Sequence, residues 1–369
     1  MYFVHPQIQL KNALKAKLSL IKPADPEKLK EKLSVYFPAK QLVFTDMARD
    51  AFKVIIEKMN LAGTTMMLPA YICDVFYPIL KHYNITPIFL DIDLKTFHIK
   101  IEEIRNKITP AVKSILICHT YGLAFDINAL RSELRERSDV IIIEDCAHNI
   151  FAGNSGDISF FSLYKQLPSL RGGMLVCPKD WRVDLPKTAF NLRDFLSFLN
   201  YFWPLAFFFK KFGQEFAKAH LRESKLTEPG GINRASLNLS ADFFDSFKES
   251  LDHRIKLALL FQQELKILGF GIQESANNVF CYLSVIVPQN LIEKRDEIVQ
   301  KLKKYHIFCT RIWHAPVVLD EKAYPNTFEA ARRIINFPLQ NHYKEKDIQK
   351  MIKAVKKVMM DIGYPSNGI

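Results

Sequence analysis

Between residues 64 and 143 short apolar runs alternate with helical patterns, and no other feature of the chain restricts its fold as much. Residues 64–68, 87–90, 114–118 and 140–143 read as strands, and 74–83, 100–107 and 126–137 as amphipathic helices between them. In 74–83 the apolar side chains Val75, Phe76, Ile79 and Leu80 share one face. Alternation of this kind implies right-handed βαβ units and a largely parallel sheet with helices on both faces. The run Val140-Ile141-Ile142-Ile143 suits a strand buried on both sides. Ligands of open parallel sheets bind beyond the carboxyl ends of the strands. Here those ends carry Pro69-Ala70-Tyr71, His119-Thr120-Tyr121-Gly122 and Glu144-Asp145-Cys146-Ala147-His148, so polar and aromatic groups gather on one edge.

After residue 155 the pattern changes to an apolar run at 158–164, Lys165, Gly172-Gly173 and a second apolar run at 174–177, which reads as two strands joined by a lysine-bearing loop. A long amphipathic helix at 246–268, a strand at 278–287, a helix at 292–304, a short strand near 307–312 and a basic helix at 344–360 describe a smaller α+β unit. The length of 369 residues holds both parts. The boundary is expected near residue 235, with a large domain over 1–235 and a small C-terminal α+β domain over 236–369. With 49% hydrophobic and 24% charged residues, disordered, collagen-like and coiled-coil readings drop out. Lys+Arg 51 against Asp+Glu 39 leaves +12, which favours anionic partners. The six cysteines form no C-x-x-C pair and no zinc-spaced cluster, so no metal site is expected and a reducing, cytoplasmic setting is. No apolar stretch is long enough to span a bilayer.

Several segments, in order along most of the chain, resemble the DegT/StrS family of sugar-nucleotide aminotransferases, which are pyridoxal 5′-phosphate (PLP) enzymes of fold type I. Phe44-Thr45-Asp46-Met47-Ala48-Arg49 is similar to the family's Ser-Gly-Thr helix start, Leu68-Pro69-Ala70-Tyr71 to V-P-A-Y, and Phe89-Leu90-Asp91-Ile92-Asp93 to F-V-D-V-D. His119-Thr120-Tyr121-Gly122 resembles H-x-Y-G, Glu144-Asp145-Cys146-Ala147-His148 resembles E-D-x-A-[QH], and Gly156-Asp157-Ile158-Ser159-Phe160-Phe161-Ser162 resembles G-D-I-x-x-F-S. The implied fold is a mostly parallel, seven-stranded-type sheet flanked by helices, with a smaller α+β domain. The implied activity is transfer of an amino group, with glutamate as donor, to a keto-sugar carried on a nucleotide for polysaccharide or modified-sugar synthesis.

The resemblance assigns roles residue by residue. Lys165 would form the Schiff base with the cofactor and shuttle a proton, which calls for an amine of lowered pKa in a partly desolvated loop. Asp145 would hold the pyridine nitrogen protonated, Ala147 would lie on the ring face, and His148 would bond the phenolic oxygen. The phosphate would rest on Thr45, Asp46, Met47 and Ala48 at the start of a helix over 47–59, with help from Ser162. Asp46 stands where the family has a small residue, and a carboxylate beside a phosphate must point away, so its other reading is a helix N-cap. Cys73 occupies the place of a ring-stacking aromatic, a role that then passes to Tyr71 or another group. Asn233 and Arg234 resemble a segment that reaches the neighbouring subunit's phosphate, which implies a homodimer with shared sites. Tyr121, Arg311 and His314 are candidate substrate contacts, with Arg311 suited to a donor carboxylate and Trp313 beside it.

The loop departs from the family pattern: Ser162-Leu163-Tyr164-Lys165 is two residues shorter than the usual serine-to-lysine spacing. A second departure lies in 190–225, an aromatic-rich insertion whose charge-free core 195–209 holds six phenylalanines, Tyr201 and Trp203. Flanked by Arg193 and Lys210-Lys211, the segment 190–212 suits burial at an interface or a peripheral contact with the inner face of a membrane. Two alternatives stand beside the aminotransferase. A sugar dehydratase of the same family carries histidine in place of the lysine, and a divergent relative would keep the fold as a binding or regulatory protein. Nucleic-acid binding has only the net charge behind it.

Overall fold

The computed structural model describes residues 1–202, 204–207 and 227–364. Its centre is a seven-stranded sheet of β2 (Lys40–Thr45), β3 (Thr65–Pro69), β4 (Thr86–Leu90), β5 (Val112–Cys118), β6 (Ile141–Asp145), β7 (Ile158–Ser162) and β8 (Gly173–Pro178), in the order β2-β8-β7-β6-β5-β3-β4. Only β8 runs against its neighbours. The mostly parallel sheet expected from the βαβ alternation is therefore the observed one. All the strand ends that the sequence marks as polar emerge on one edge.

Helices α3 (Ala48–Lys58), α4 (Phe76–His82), α5 (Ile101–Lys107) and α6 (Ile127–Glu133) make the crossovers. Successive residues of a strand face opposite sides, and β5 shows both uses. Leu116 and Cys118 join Phe52, Ile55, Ile56, Phe76 and Ile79 on one face, while Ile115 and Ile117 join Ile104, Ile127 and Leu130 on the other. Each such side chain contributes roughly 1.5–3 kcal/mol by leaving water. Before the sheet come α1 (Ala13–Ile21) and α2 (Pro26–Ser34), and after it α7 (Leu192–Leu199).

The long helix expected at 246–268 is instead two helices, α8 (Arg234–Glu249) and α9 (Leu251–Ile267), broken at Ser250. The Ser250 hydroxyl bonds the Phe247 carbonyl and also that of Ser246, and this competes with continuation of the helix. The expected boundary near residue 235 coincides with the start of α8, which buries Leu237, Ala241, Phe244 and Phe247 against Leu42, Phe44 and Met174 of the large sheet. Beyond α9 lie β9 (Gly271–Ile272), β10 (Leu283–Ile286), α10 (Arg295–Lys304), β11 (Ile307–Phe308), α11 (Pro325–Arg333), β12 (Ile334–Phe337) and α12 (Glu345–Asp361). The order β12-β10-β9 forms an antiparallel sheet, and the N-terminal β1 (Tyr2–Phe3) pairs with β11. The strands expected over 278–287 and 307–312 are thus shorter. Of the aromatic segment, Trp203 and everything from 208 lie outside the described residues, while Phe198, Tyr201 and Phe202 are buried against Ile8, Ala235 and Leu239. Among the described residues no helix is long and apolar enough to cross a membrane.

Candidate active site

Register brings the site together. Cys118 pairs with Asp145 across β5 and β6, Asp145 with Phe160 across β6 and β7, Ser162 with Gly173 across β7 and β8, and Gly173 with Thr45 across β8 and β2. This row sets the carboxylate of β6, the serine of β7 and the start of α3 side by side.

Directly after β7 a single tight turn carries Lys165 back toward β6, where its Nζ lies 3.0 Å from His148 Nε2. The ring of His148 is oriented by the Tyr121 N–H, which donates to Nδ1 at 3.2 Å. Burial and then Lys165 push the His148 pKa well down, so the imidazole is neutral. With Nδ1 accepting, the single ring proton belongs on Nε2, facing Lys165. Asp145 Oδ1 accepts from the Ala147 N–H at 2.9 Å, and Oδ2 has only the Cys118 thiol, 3.8 Å away. Burial raises the Asp145 pKa against the pull of Lys165.

The lowered pKa expected for Lys165 is not the net result. Burial does lower it, but Tyr164, Cys73, Asp145 and Cys281 outweigh burial and raise it. Phenols and thiols are anionic only in alkaline solution, so at neutral pH Asp145 is the charge that holds the ammonium. The His148 N–H opposes it, since an amine could accept that proton and an ammonium could not.

At the start of α3, Asp50 Oδ2 accepts from the Met47 N–H at 3.1 Å, and the N–H groups of Ala48 and Arg49 face out of the open first turn. Ser162 lies beside them, 3% exposed, its hydroxyl without a hydrogen-bond partner among the described residues. A Cβ on Gly173 would stand 2.4 Å from Thr45 Oγ1, 2.5 Å from the Met47 carbonyl carbon and 2.6 Å from Ala48 N, so only glycine lets the strand approach the helix this closely. Thr45 and Asp46 are engaged elsewhere. The Thr45 hydroxyl donates to the Met47 carbonyl at 2.8 Å. Asp46 is not the N-cap: both its oxygens accept from Arg171, at 2.9 and 2.8 Å, and Arg171 Nε lies 3.1 Å from Asp194 Oδ1. Sequence reasoning missed Arg171, because its partners lie 125 residues before it and 23 after it.

An aromatic wall closes the other side. The Tyr71 and Tyr121 hydroxyls lie 2.7 Å apart and both are within reach of the Ile312 carbonyl, at 3.3 and 3.0 Å; with one proton each, one hydroxyl donates to the carbonyl and the other to its neighbour. Trp313 stacks on Tyr121 at 5.5 Å and meets Tyr71 and His148 edgewise or tilted. Tyr121 and Trp313 both hold φ near +60°, a strained backbone that the packing imposes. Of the 311–314 segment it is Trp313 that enters: Arg311 pairs with Asp296 at 2.6 Å, and His314 is exposed with its ring on the Arg311 carbonyl. Cys73 lies close enough to Lys165 and Asp145 to feel both, and burial raises its thiol pKa.

Asn233 and Arg234 have partners within the chain itself. Asn233 is buried, caps α8 by accepting from the Ser236 N–H at 2.8 Å and donates to Asp194, so its amide is committed within its own chain. Arg234 reaches the Leu20 carbonyl. His119, Glu144 and Cys146 cluster in a way that could suggest a metal, yet His119 Nδ1 accepts from the Phe125 N–H and Nε2 faces Glu144 Oε2 at 2.9 Å. Both ring nitrogens are thereby occupied, and the pair braces the ends of β5 and β6.

Residues 13–356 match the model of the DegT/DnrJ/EryC1/StrS aminotransferase family. The chain belongs to that family. It is 22% identical over 362 residues to the dTDP-4-amino-4,6-dideoxy-D-glucose transaminase of Shigella dysenteriae, covering 90% of this chain and 89% of that one. The GDP-perosamine synthase of Escherichia coli O157:H7 is 32% identical over a shorter stretch of 123 residues, 31% of this chain and 34% of that one. The solved structure of ntda from Bacillus subtilis with bound cofactor PMP superposes with a TM-score of 0.70 at 19% identity, covering 96% of this chain and 83% of that one.

As a DegT-family aminotransferase the chain works with PLP, and its residues fit that group. The unpartnered Ser162 hydroxyl and the open N–H groups of α3 match a phosphate, and the nearly unpartnered Asp145 Oδ2 matches a protonated ring nitrogen. Lys165 lies between them and the aromatic wall.

Proposed function

We propose that this aminotransferase moves an amino group from an amino acid, glutamate by the family's habit, onto a keto-sugar carried on a nucleoside diphosphate. The carrying observation is the convergence of Lys165, His148 and Asp145 with an unpartnered serine at an open helix start. The substrate class is supported by the activities named for the Shigella and Escherichia relatives. The positive charge of the chain suits a pyrophosphate.

Bound PLP supplies an aldehyde that takes up the amino group and a ring that draws electrons from the substrate carbon. The protein's own groups do the rest. Lys165 Nζ takes the proton from the donor's Cα and delivers one to the sugar carbon in the second half-reaction, which gives ping-pong kinetics. Asp145 Oδ2 keeps a proton on the pyridine nitrogen. His148, fixed by the Tyr121 N–H, donates from Nε2 to the phenolic oxygen. Ser162 and the amides of Ala48 and Arg49 hold the phosphate, while Arg171 neutralises Asp46 and keeps that carboxylate off it. The wall of Tyr71, Tyr121 and Trp313 excludes water.

A homodimer remains part of the proposal, on different support from Asn233. Leu10, Leu14, Leu18 and Ile21 on and before α1, with Leu192, Phe195 and Leu196 of α7, are exposed apolar side chains for a second copy to cover. Sedimentation should give twice the chain mass. For the reaction, ¹⁵N-glutamate with a panel of nucleoside-diphosphate keto-sugars should yield a labelled amino-sugar, and Lys165→Ala should yield none. Undiminished product from Lys165→Ala would overturn the reading.

A further inference from the structure

A cavity of about 250 Å³ adjoins the lysine loop; Asp145, Ser162 and the start of α3 do not line it, whereas Lys165 does. Its wall includes Gln7 and Lys11 from the N-terminal segment, Lys165 and Gln166 from the loop, Arg254 from α9 and Asn341 after β12. Among the described residues that line it there are three full cations, Lys11, Lys165 and Arg254, and no Asp or Glu. Carboxamides and hydroxyls make up most of the remaining polar lining. Such a wall concentrates anions.

Two of these side chains are deeply buried and unsatisfied. Gln166 is 4% exposed, and among the described residues neither its amide nitrogen nor its oxygen has a partner. Arg254 is 5% exposed, and its Nε has none. Its other nitrogens donate to Asn341 Oδ1 at 3.2 Å, to the Cys281 carbonyl at 2.7 Å and to the Phe280 carbonyl, all of them neutral acceptors. An arginine remains a cation in proteins even where burial lowers its pKa. A buried charge without a counter-charge and a buried carboxamide without a single hydrogen bond are each unfavourable and uncommon. One kind of ligand relieves both: an anion that accepts from Arg254 and from the Gln166 amide.

We infer that this cavity binds a small carboxylic acid, its carboxylate on Arg254 and Gln166, next to Lys165. The volume lies below the roughly 300–1,000 Å³ of sites for larger ligands, so a nucleotide-linked sugar does not fit within it. The ligand class is a short dicarboxylic amino acid or 2-oxo acid, the amino donor and the acid it becomes. That identity rests on the aminotransferase reading; the anion site itself rests on the unpaired groups. Arg311, the sequence's candidate for the donor carboxylate, is already paired with Asp296, whereas Arg254 has no carboxylate partner among the described residues.

The test is calorimetric titration of the PLP-loaded enzyme with glutarate, which has no amine to transfer, and separately with inorganic phosphate. Wild type should bind one glutarate per chain. Arg254→Gln should weaken binding by about tenfold or more, the loss of one charge-assisted contact. Gln166→Leu breaks no hydrogen bond, so it should fold, melt at the same or a higher temperature without ligand, and still bind glutarate several-fold more weakly. Borohydride labelling of Lys165 in the same preparations separates the two readings. Unchanged glutarate affinity in both variants with Lys165 labelled overturns the inference and leaves the enzyme reading intact. Glutarate binding that depends on Arg254 without label on Lys165 supports the anion site and overturns the enzyme reading. Phosphate bound more tightly than glutarate, with the same dependence on Arg254, overturns the assignment to a carboxylic acid.

Discussion

Replacing Arg171 by methionine removes the only side chain among the described residues that pairs with Asp46. Both Asp46 oxygens accept from its guanidinium, and Nε also meets Asp194. Breaking a buried pair from one side costs about 3–5 kcal/mol, because a charge is left behind unpaired. Two features reduce that figure here. Asp46 is 16% exposed, and Asp194 keeps the Asn191 and Asn233 N–H groups. About 2–3 kcal/mol at pH 8 is the expected loss, read from the urea midpoint at constant slope. The pH dependence carries the sharper test. Burial already holds the Asp46 pKa above its ordinary value despite Arg171, and without Arg171 it rises further. A carboxyl whose folded pKa exceeds its unfolded one destabilises the fold as pH rises through that window. The deficit of Arg171→Met should therefore shrink toward pH 4, as the folded-state carboxyl takes up its proton. Adding Asp46→Asn should recover most of it. A deficit that is equal at pH 4 and pH 8, or a double variant no more stable than Arg171→Met alone, would refute the pairing argument.

Ser162→Ala should weaken PLP by about tenfold in equilibrium dialysis, near 1.4 kcal/mol for one hydrogen bond to a charged group, without loss of stability in the cofactor-free protein. Asp145→Asn should leave the cofactor bound but lower turnover by on the order of 10²–10⁴-fold, the usual span for losing a proton-holding group, as measured by single-turnover absorbance. Burial, and then His119, pushes the His98 pKa down to about 3. Its folded pKa lies below the unfolded value, so stability should fall as pH drops from about 6.5 toward 3, and His98→Asn should flatten that limb of the urea-midpoint curve by up to about 1.4 kcal/mol per pH unit.

The parallel sheet was legible because β-branched runs such as 140–143 and the helices between them state their burial locally, in periodicity alone. That Lys165, Asp145 and His148 come together was legible for a related reason. Each stands at a strand end within a short ordered motif, and strand ends converge wherever a parallel sheet forms. What escaped depends on partners distant in sequence. Arg171 reads as a loop cation until Asp46 is placed beside it, and Arg254 reads as one more basic residue on a helix until its neighbours prove neutral. Asn233 also caps α8, accepting from the Ser236 N–H, a local role that the resemblance to an intersubunit segment does not bring out. Trp313 reads together with Arg311 and His314 as reaching the site from the C-terminal part of the chain, and it is its ring that fills the space over Tyr121. The break at Ser250 was hidden in an amphipathic pattern that runs on through it.

The central claim is that Lys165 is the residue that takes the cofactor. Borohydride reduction of the PLP-loaded protein, followed by peptide mapping, tests it most directly. The account predicts a yellow protein whose reduced label lies on the peptide containing Lys165, and on no other lysine. A colourless protein, or a label carried by another lysine, would contradict it.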